Sequence, residues 1–443
     1  MPSSRPPFRG LTAQQWFNLA LPWPTVAYIL FGLLALIYGL AQDYMAADYR
    51  SFISSARIST DSRYGFANIY DLSIQEQFQR PLYEEITAGQ AHQPYATAPT
   101  YYLPAFVLPF IPLVLFPFKT GYYIWIGLNA LGTVLYLWRF KKAVGGLGGY
   151  GILGNFLLYV PLYTNLLLGQ VNLWLMISLG EFLLASRAGK DFRAGLWLAG
   201  LLLKPQTLIF LIPGLLIGRK WKMLGGFGSG LAAILVISIV LVGIPGLTHL
   251  GELYLLSSTG ESAPHKAILD WRGLARQLSA PGEPTTHAEV MMNWRALAIN
   301  LLPVTSPEVA WGLSFVGMGL TAIAGLAFWF KRTEAGSPRW GLVLLGTYAA
   351  TCSVTWHSHA HMVLPMLPLL LYLHSDDQIS WPLLYAWLYG MPLLLPLFVL
   401  AAPNIAYNMA GLLVFALNML ILVWAVWQFW RRPGEVDPVA MRR

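Results

Sequence analysis

Apolar runs of roughly 17–25 residues recur along the whole chain, separated by short polar strings. Each is long enough to cross about 30 Å of hydrocarbon as a helix. The runs are continuous rather than alternating, which argues against a barrel of ten-residue strands. With no water in a bilayer core to satisfy the backbone, helices remain. Two runs depart from the simple pattern. Tyr101–Phe118 carries Pro104, Pro109, Pro112 and Pro117, and reads as a re-entrant or juxtamembrane hairpin on the outer side. Ala194–Gly218 is interrupted by Lys204-Pro205 and reads as two short helices that meet at the outer face. Two long, more polar stretches, 43–120 and 248–307, read as outer loops, the first with a helix over Ile69–Thr87.

Composition agrees with this pattern. The chain is 56% hydrophobic and 11% charged, against about 25% charged in soluble domains. No stretch resembles a separate soluble domain, so residues 1–443 are expected to form one membrane-embedded unit of about 12 transmembrane helices. The expected fold class is thus an all-α polytopic membrane protein. The first run, Ala20–Gln42, follows Arg5 and Arg9 and exceeds a signal-peptide core, which favours a retained signal anchor. The single Cys352 excludes an internal disulfide.

The charge distribution sets a topology. Basic clusters occur at Arg139/Lys141/Lys142, Arg187/Lys190/Arg193, Arg219/Lys220/Lys222, Lys331/Arg332/Arg339 and from Arg431 onward. Placing all of them in the cytoplasm satisfies the positive-inside rule, with both termini inside. The net charge of +8 is then a topology signal, and nucleic-acid binding is not needed to explain it.

That topology collects several polar strings on the opposite face. Asp48, after the first run, suits a general base; it equally suits a carboxylate that caps a loop helix or pairs with Arg50, and Asp43 has the same two readings. Gly169-Gln170-Val171-Asn172 offers amides for hydroxyls, or a plain helix-hairpin cap. Lys204, inside an apolar run, suits phosphate binding or snorkelling to headgroups. Trp271-Arg272 and Trp294-Arg295 repeat one string, fit for phosphate and sugar contacts or for a helix lying on the membrane. His357, His359 and His361 would point one way on an extended segment, whereas a helix would bring only His357 and His361 to one face. Zinc is conceivable at that spacing, but only Cys352 offers another nearby ligand, which favours phosphate or hydroxyl contacts. Glu181 receives no role.

Taken in order, these strings resemble glycosyltransferase family 87 of the GT-C superfamily. The resemblance runs through Asp48-Tyr49-Arg50-Ser51-Phe52, Tyr70-Asp71, Tyr101-Tyr102-Leu103-Pro104, Leu168-Gly169-Gln170-Val171-Asn172, Ala199-Gly200 with Lys204-Pro205, Arg219-Lys220-Trp221 and the histidine segment. It implies a GT-C-like helix bundle with two large outer loops in the plasma membrane. It also implies transfer of mannose from a polyprenyl-phosphate donor to a glycolipid or glycan hydroxyl on the outer face, with inversion. Asp48 takes the position of the base, with His359 or a neighbour at the donor phosphate. Tyr101 and Tyr102, opening the proline-rich stretch, join Gln170, Asn172, Lys204, Arg272, Arg295 and the histidines as candidate substrate contacts. No cofactor is required on this reading, and a divalent metal remains possible. The competing classes are a lipid or solute transporter and a non-catalytic binder of lipid-linked sugar.

Overall fold

The computed structural model describes residues 46–87, 95, 97–145, 151–259, 290–337, 339–355, 357–401 and 406–431, with a few positions between 20 and 30. Most of the first apolar run, Asp43, Trp271, Arg272 and Trp356 lie outside the described residues.

The described residues form helices and no strands. In chain order they are α1 (Ala47–Thr60), α2 (Leu72–Thr87), α3 (Phe118–Val144), α4 (Gly151–Leu157), α5 (Val160–Leu168), α6 (Asn172–Arg187), α7 (Asp191–Leu198), α8 (Leu211–Ile217), α9 (Trp221–Thr259), α10 (Trp294–Leu301), α11 (Pro307–Phe330), α12 (Arg339–Val354), α13 (Met366–Ser375), α14 (Trp381–Ala401) and α15 (Ala406–Arg431). Among the described residues, four helical stretches are long and apolar enough to cross a membrane: Trp221–Leu253, Pro307–Phe330, Trp381–Phe398 and Asn408–Arg431. The described residues are therefore all-helical apart from turns and connecting segments, with several candidate spans.

The proline-rich stretch is a single 3-10 helix, Pro104–Leu115, packed against α1, rather than a two-legged hairpin. Pro109 and Pro112 lack the N–H that an α-helix interior requires. The helix expected from Ile69 starts instead at Leu72, because the Asp71 carboxylate accepts from the Ser73 and Ile74 N–H groups and caps it.

The split at Lys204-Pro205 is present. Proline disfavours the α region for the residue before it, and Lys204 sits at φ −135°, ψ 84° between the 3-10 turns Ala199–Leu203 and Pro205–Leu208. Below that break, α7 and α9 cross at close range. A Cβ on Gly195 would lie 1.9 Å from the Met223 carbonyl, one on Gly226 1.9 Å from the Phe192 carbonyl, and one on Gly230 2.5 Å from the Ala199 Cβ. Gly226 and Gly230 are a GxxxG pair that lets the two backbones touch. Gly226→Leu is expected to separate the helices. A thermal-stability assay in detergent should show a lower Tm, with Gly228→Leu, which faces open space, near wild type.

The basic clusters gather at one end. Lys141 donates to Ser375 Oγ (3.2 Å), the Arg187 guanidinium lies 4.5 Å from the Tyr372 ring centroid, and Lys220 donates to the Thr333 carbonyl (2.6 Å). Glu181, given no role above, pairs with Arg139. From Asn172 to Arg187, α6 runs about 22 Å at 1.5 Å per residue, so its N-terminal end is remote from these clusters.

Candidate active site

The turn between α5 and α6 organises the site. Helix α5 ends with its last carbonyls unsatisfied by its own turns, and other elements satisfy them. The Leu167 carbonyl accepts from the Ala46 N–H (2.9 Å) and the Tyr122 hydroxyl (2.6 Å), and the Gly169 carbonyl accepts from Trp125 Nε1 (2.9 Å). Gly169 turns the chain at φ +68°, in the left-handed region that favours glycine. A Cβ there would lie 2.5 Å from the Tyr49 Cβ, so α1 rests directly on the glycine backbone. Asn165, which carried no sequence signal of its own, closes the turn: its Oδ1 accepts from the Asn172 side-chain amide at 3.0 Å and from the Asn172 N–H at 3.3 Å.

This contact brings Asp48, half-buried on the first turn of α1, beside Gln170. The Gln170 Oε1 accepts from the Val171 N–H (3.3 Å), which leaves its Nε2 to donate to the Asp48 carboxylate. The capping alternative for Asp48 is not realised, since the N-cap of α1 is Ala46 and no side chain caps it. Burial pushes the Asp48 carboxyl above the usual carboxylate range. The Lys204 ammonium, the Gln170 hydrogen bond and the Arg50 guanidinium act against that rise.

Lys204, 6% exposed, does not snorkel to solvent. It lies within electrostatic reach of both Asp48 and His361. The three histidine rings come together, on a backbone that is extended at His359 and turns into the 3-10 helix Ala360–Val363, which holds His361. The His357 and His359 ring centroids are 4.8 Å apart, and those of His359 and His361 5.7 Å, with His359 extended at φ −94°, ψ 163°. His357 is exposed, His359 half-buried and His361 2% exposed. The His361 Nδ1 has no hydrogen-bond partner. The strand-like segment is held by Met292, whose N–H donates to the Ser358 carbonyl (2.7 Å), and by the Asn293 amide, which donates to the Thr355 carbonyl (2.9 Å). Among the described residues, no group of three His, Cys, Asp or Glu side chains is arranged to hold a metal ion.

Other candidates are placed differently. The Asn172 amide N–H is engaged by Asn165, which leaves only its Oδ1 without a partner, so the pair of amides does not act alike. The Tyr102 ring packs on Phe52 (4.6 Å between centroids), and its carbonyl accepts from the Tyr70 hydroxyl at 2.6 Å. Tyr102 thus braces α1 one turn beyond Asp48. Tyr101 is half-buried beside it. Arg295 is buried in the first turn of α10, just after the Asn293 that holds the histidine segment. Trp294 is half-buried. Its Nε1 donates to Thr321 Oγ1 (2.9 Å), and its ring meets Phe415 edge-on inside the bundle. The matching Trp271-Arg272 string lies outside the described residues.

Among the comparisons with known proteins, the model of glycosyltransferase family 87 matches residues 100–355, more than half of the chain. Gln170 and Lys204 fall inside the match, while Asp48 and the histidine segment flank it. No curated protein and no solved structure matches the chain. The family match, together with the all-helical membrane architecture, establishes that this chain belongs to glycosyltransferase family 87 and is a membrane glycosyltransferase.

Proposed function

We propose that this glycosyltransferase moves mannose from a polyprenyl-phosphate donor to an acceptor hydroxyl at the outer membrane face, with inversion, and that Asp48 is the base. The observation that carries this reading is the row Gln170–Asp48–Lys204–His361. A carboxylate hydrogen-bonded by an amide lies within electrostatic reach of a buried ammonium, which is itself within electrostatic reach of an imidazole with an unpartnered nitrogen. The acceptor oxygen attacks the sugar C1 as its proton passes to Asp48. The C1–O bond to phosphate breaks, and its electron pair stays on the phosphate oxygen. Lys204 stabilises the charge that grows there, since a fixed cation in a site shielded from water is worth more than in bulk. The His361 Nδ1 hydrogen-bonds a phosphate oxygen, and His359 and His357 extend that side toward the surface. The outer-face assignment rests on the separation of this row from the basic clusters, which the positive-inside rule puts in the cytoplasm.

The test is transfer by purified protein from polyprenyl-phosphate-mannose, against polyprenyl-phosphate-glucose and a nucleotide sugar. Mannose transfer from the lipid donor alone supports the proposal; transfer from the nucleotide sugar overturns it. In the same assay, Lys204→Met is expected to lower kcat/KM by about 10²–10³-fold, as loss of one transition-state donor does elsewhere. Unchanged turnover would remove Lys204 from the phosphate side.

A further inference from the structure

The segment that leads into the proline-rich helix is held from two sides, and the two sides meet at Thr100. On one side is α2. Gln75 and Gln79 lie four residues apart on one face of that helix, and both are buried. The Gln79 Nε2 donates to the Ala98 carbonyl, and its Oε1 accepts from the Ala98 N–H, each at 2.9 Å. The Gln75 Oε1 accepts from the Thr100 N–H (3.1 Å), and its Nε2 donates to the Ile69 carbonyl (2.7 Å). Two side-chain amides of α2 thus hold the backbone at Ala98 and Thr100.

On the other side is α1, and there the Thr100 side chain makes the contact. Its Oγ1 lies 2.9 Å from Ser51 Oγ and 2.6 Å from Ser55 Oγ. Ser55 Oγ also donates to the Ser51 carbonyl (3.0 Å). One proton arrangement gives every hydroxyl an acceptor: Ser51 donates to Thr100, Thr100 to Ser55, and Ser55 to the carbonyl. All three side chains are buried, so removing one partner leaves the others without a replacement from solvent. Ser51 and Ser55 stand three and seven residues after Asp48, on the same helix face. The Gly169 turn fixes where α1 begins, through Ala46 and Tyr49. Thr100 adds an anchor one turn on, on the face that carries Asp48.

We infer that Thr100 is a positioning residue for sugar transfer: it locks the rotation of α1 that presents Asp48 to Gln170 and Lys204, and through Gln75 it ties that rotation to α2. The inference rests on Asp48 being the base. The Thr100 hydroxyl is taken up by the two serines, so it acts on the reaction through the helix. Two anchors at different heights and on different faces stop α1 from turning about its axis. With the second anchor gone, the carboxylate can swing along an arc while the start of the helix stays in place.

The experiment measures kcat, donor KM and the acid limb of the rate profile, with purified full-length protein in lipid nanodiscs and polyprenyl-phosphate-mannose as donor. Thr100→Val keeps the shape and removes the hydroxyl. It should lower kcat by about 10²-fold, the cost of moving a reacting group by about 1 Å, and leave donor KM close to wild type. Separating Asp48 from Lys204 and Gln170 removes the two leading influences that oppose the rise of its pKa, so the acid limb should move to higher pH. A fold that is merely weakened would lose active protein without moving that limb. Thr100→Ser restores the hydroxyl and should return both kcat and the limb to near wild type. Because Thr100 acts through the two serines, adding Thr100→Val to Ser51→Ala/Ser55→Ala should cost little more than the serine changes alone. If Thr100→Val does not fold, Ser55→Ala, which leaves the bond to Ser51, should show the same shift of the limb with a smaller loss of kcat. Wild-type kcat in Thr100→Val, an equal loss in Thr100→Ser, or a loss with the limb in place would overturn the inference. Retained transfer by Asp48→Asn would overturn the underlying assignment of the base instead.

Discussion

Gly169→Ala is expected to lower transfer by about 100-fold without touching any group that contacts substrate. The added Cβ would stand 2.5 Å from the Tyr49 Cβ and 3.3 Å from its Cα. Neither atom is the free end of a flexible side chain, so α1 must move. The φ of +68° adds about 1–2 kcal/mol for any L side chain with a Cβ. Helix α1 starts from Ala46, itself at φ +56° and held by its N–H to the Leu167 carbonyl. Displacing that start displaces Asp48 from Gln170 and Lys204. A misplacement of about 1 Å at a reacting group is enough for a 10²-fold loss. The check is kcat on saturating substrates, beside the helix content of the purified variant. Wild-type kcat would mean that the contact between the turn and α1 does not position the base.

Asp48→Asn should be the most damaging isosteric change, with a loss of about 10²–10⁴-fold in kcat, the usual worth of a positioned general base. Its pH dependence follows from burial. Because the folded protein raises the Asp48 pKa above the ordinary 3.8, the carboxylate is fully available only above that higher value and is lost as pH falls through it. The acid limb of the wild-type rate profile should therefore lie above the limb of an ordinary aspartate. Lys204→Met removes the leading cation that opposes the rise, so residual activity should show that limb moved to still higher pH. An acid limb at or below 3.8, or one that Lys204→Met moves downward, would contradict the electrostatic arrangement.

The parts of the site that were legible in the sequence are those whose signal is local. Lys204 stood out because an ammonium in an apolar run is rare, and Pro205 announced the break because it restricts the residue before it. Alternation at 357, 359 and 361 left extended and helical backbones open; the chain is extended at His359 and enters a 3-10 turn at Ala360, and the three rings lie next to one another. Long-range contacts were not legible. Nothing near Asn165 marks it as the side chain that ties Asn172, and nothing near Glu181 points to Arg139, 42 residues earlier. The Trp294-Arg295 string suited phosphate and sugar contacts or a helix lying on the membrane; nothing in it pointed to the hydrogen bond to Thr321 or the edge contact with Phe415, both distant in sequence. The same limit applies to Arg50. An ion pair with Asp48 was one reading of its position; its guanidinium lies over the rings of Tyr83 and Tyr95, far along the chain.

The central claim is that Asp48 takes the proton from the acceptor rather than holding the donor. Donor binding and transfer must therefore be measured on one preparation, wild type and Asp48→Asn in lipid nanodiscs, with radiolabelled polyprenyl-phosphate-mannose. The account predicts donor affinity within a few-fold of wild type and a transfer rate at full donor occupancy lower by about 10²–10⁴-fold. Wild-type transfer by the variant, or a loss explained entirely by weaker donor binding, would contradict it.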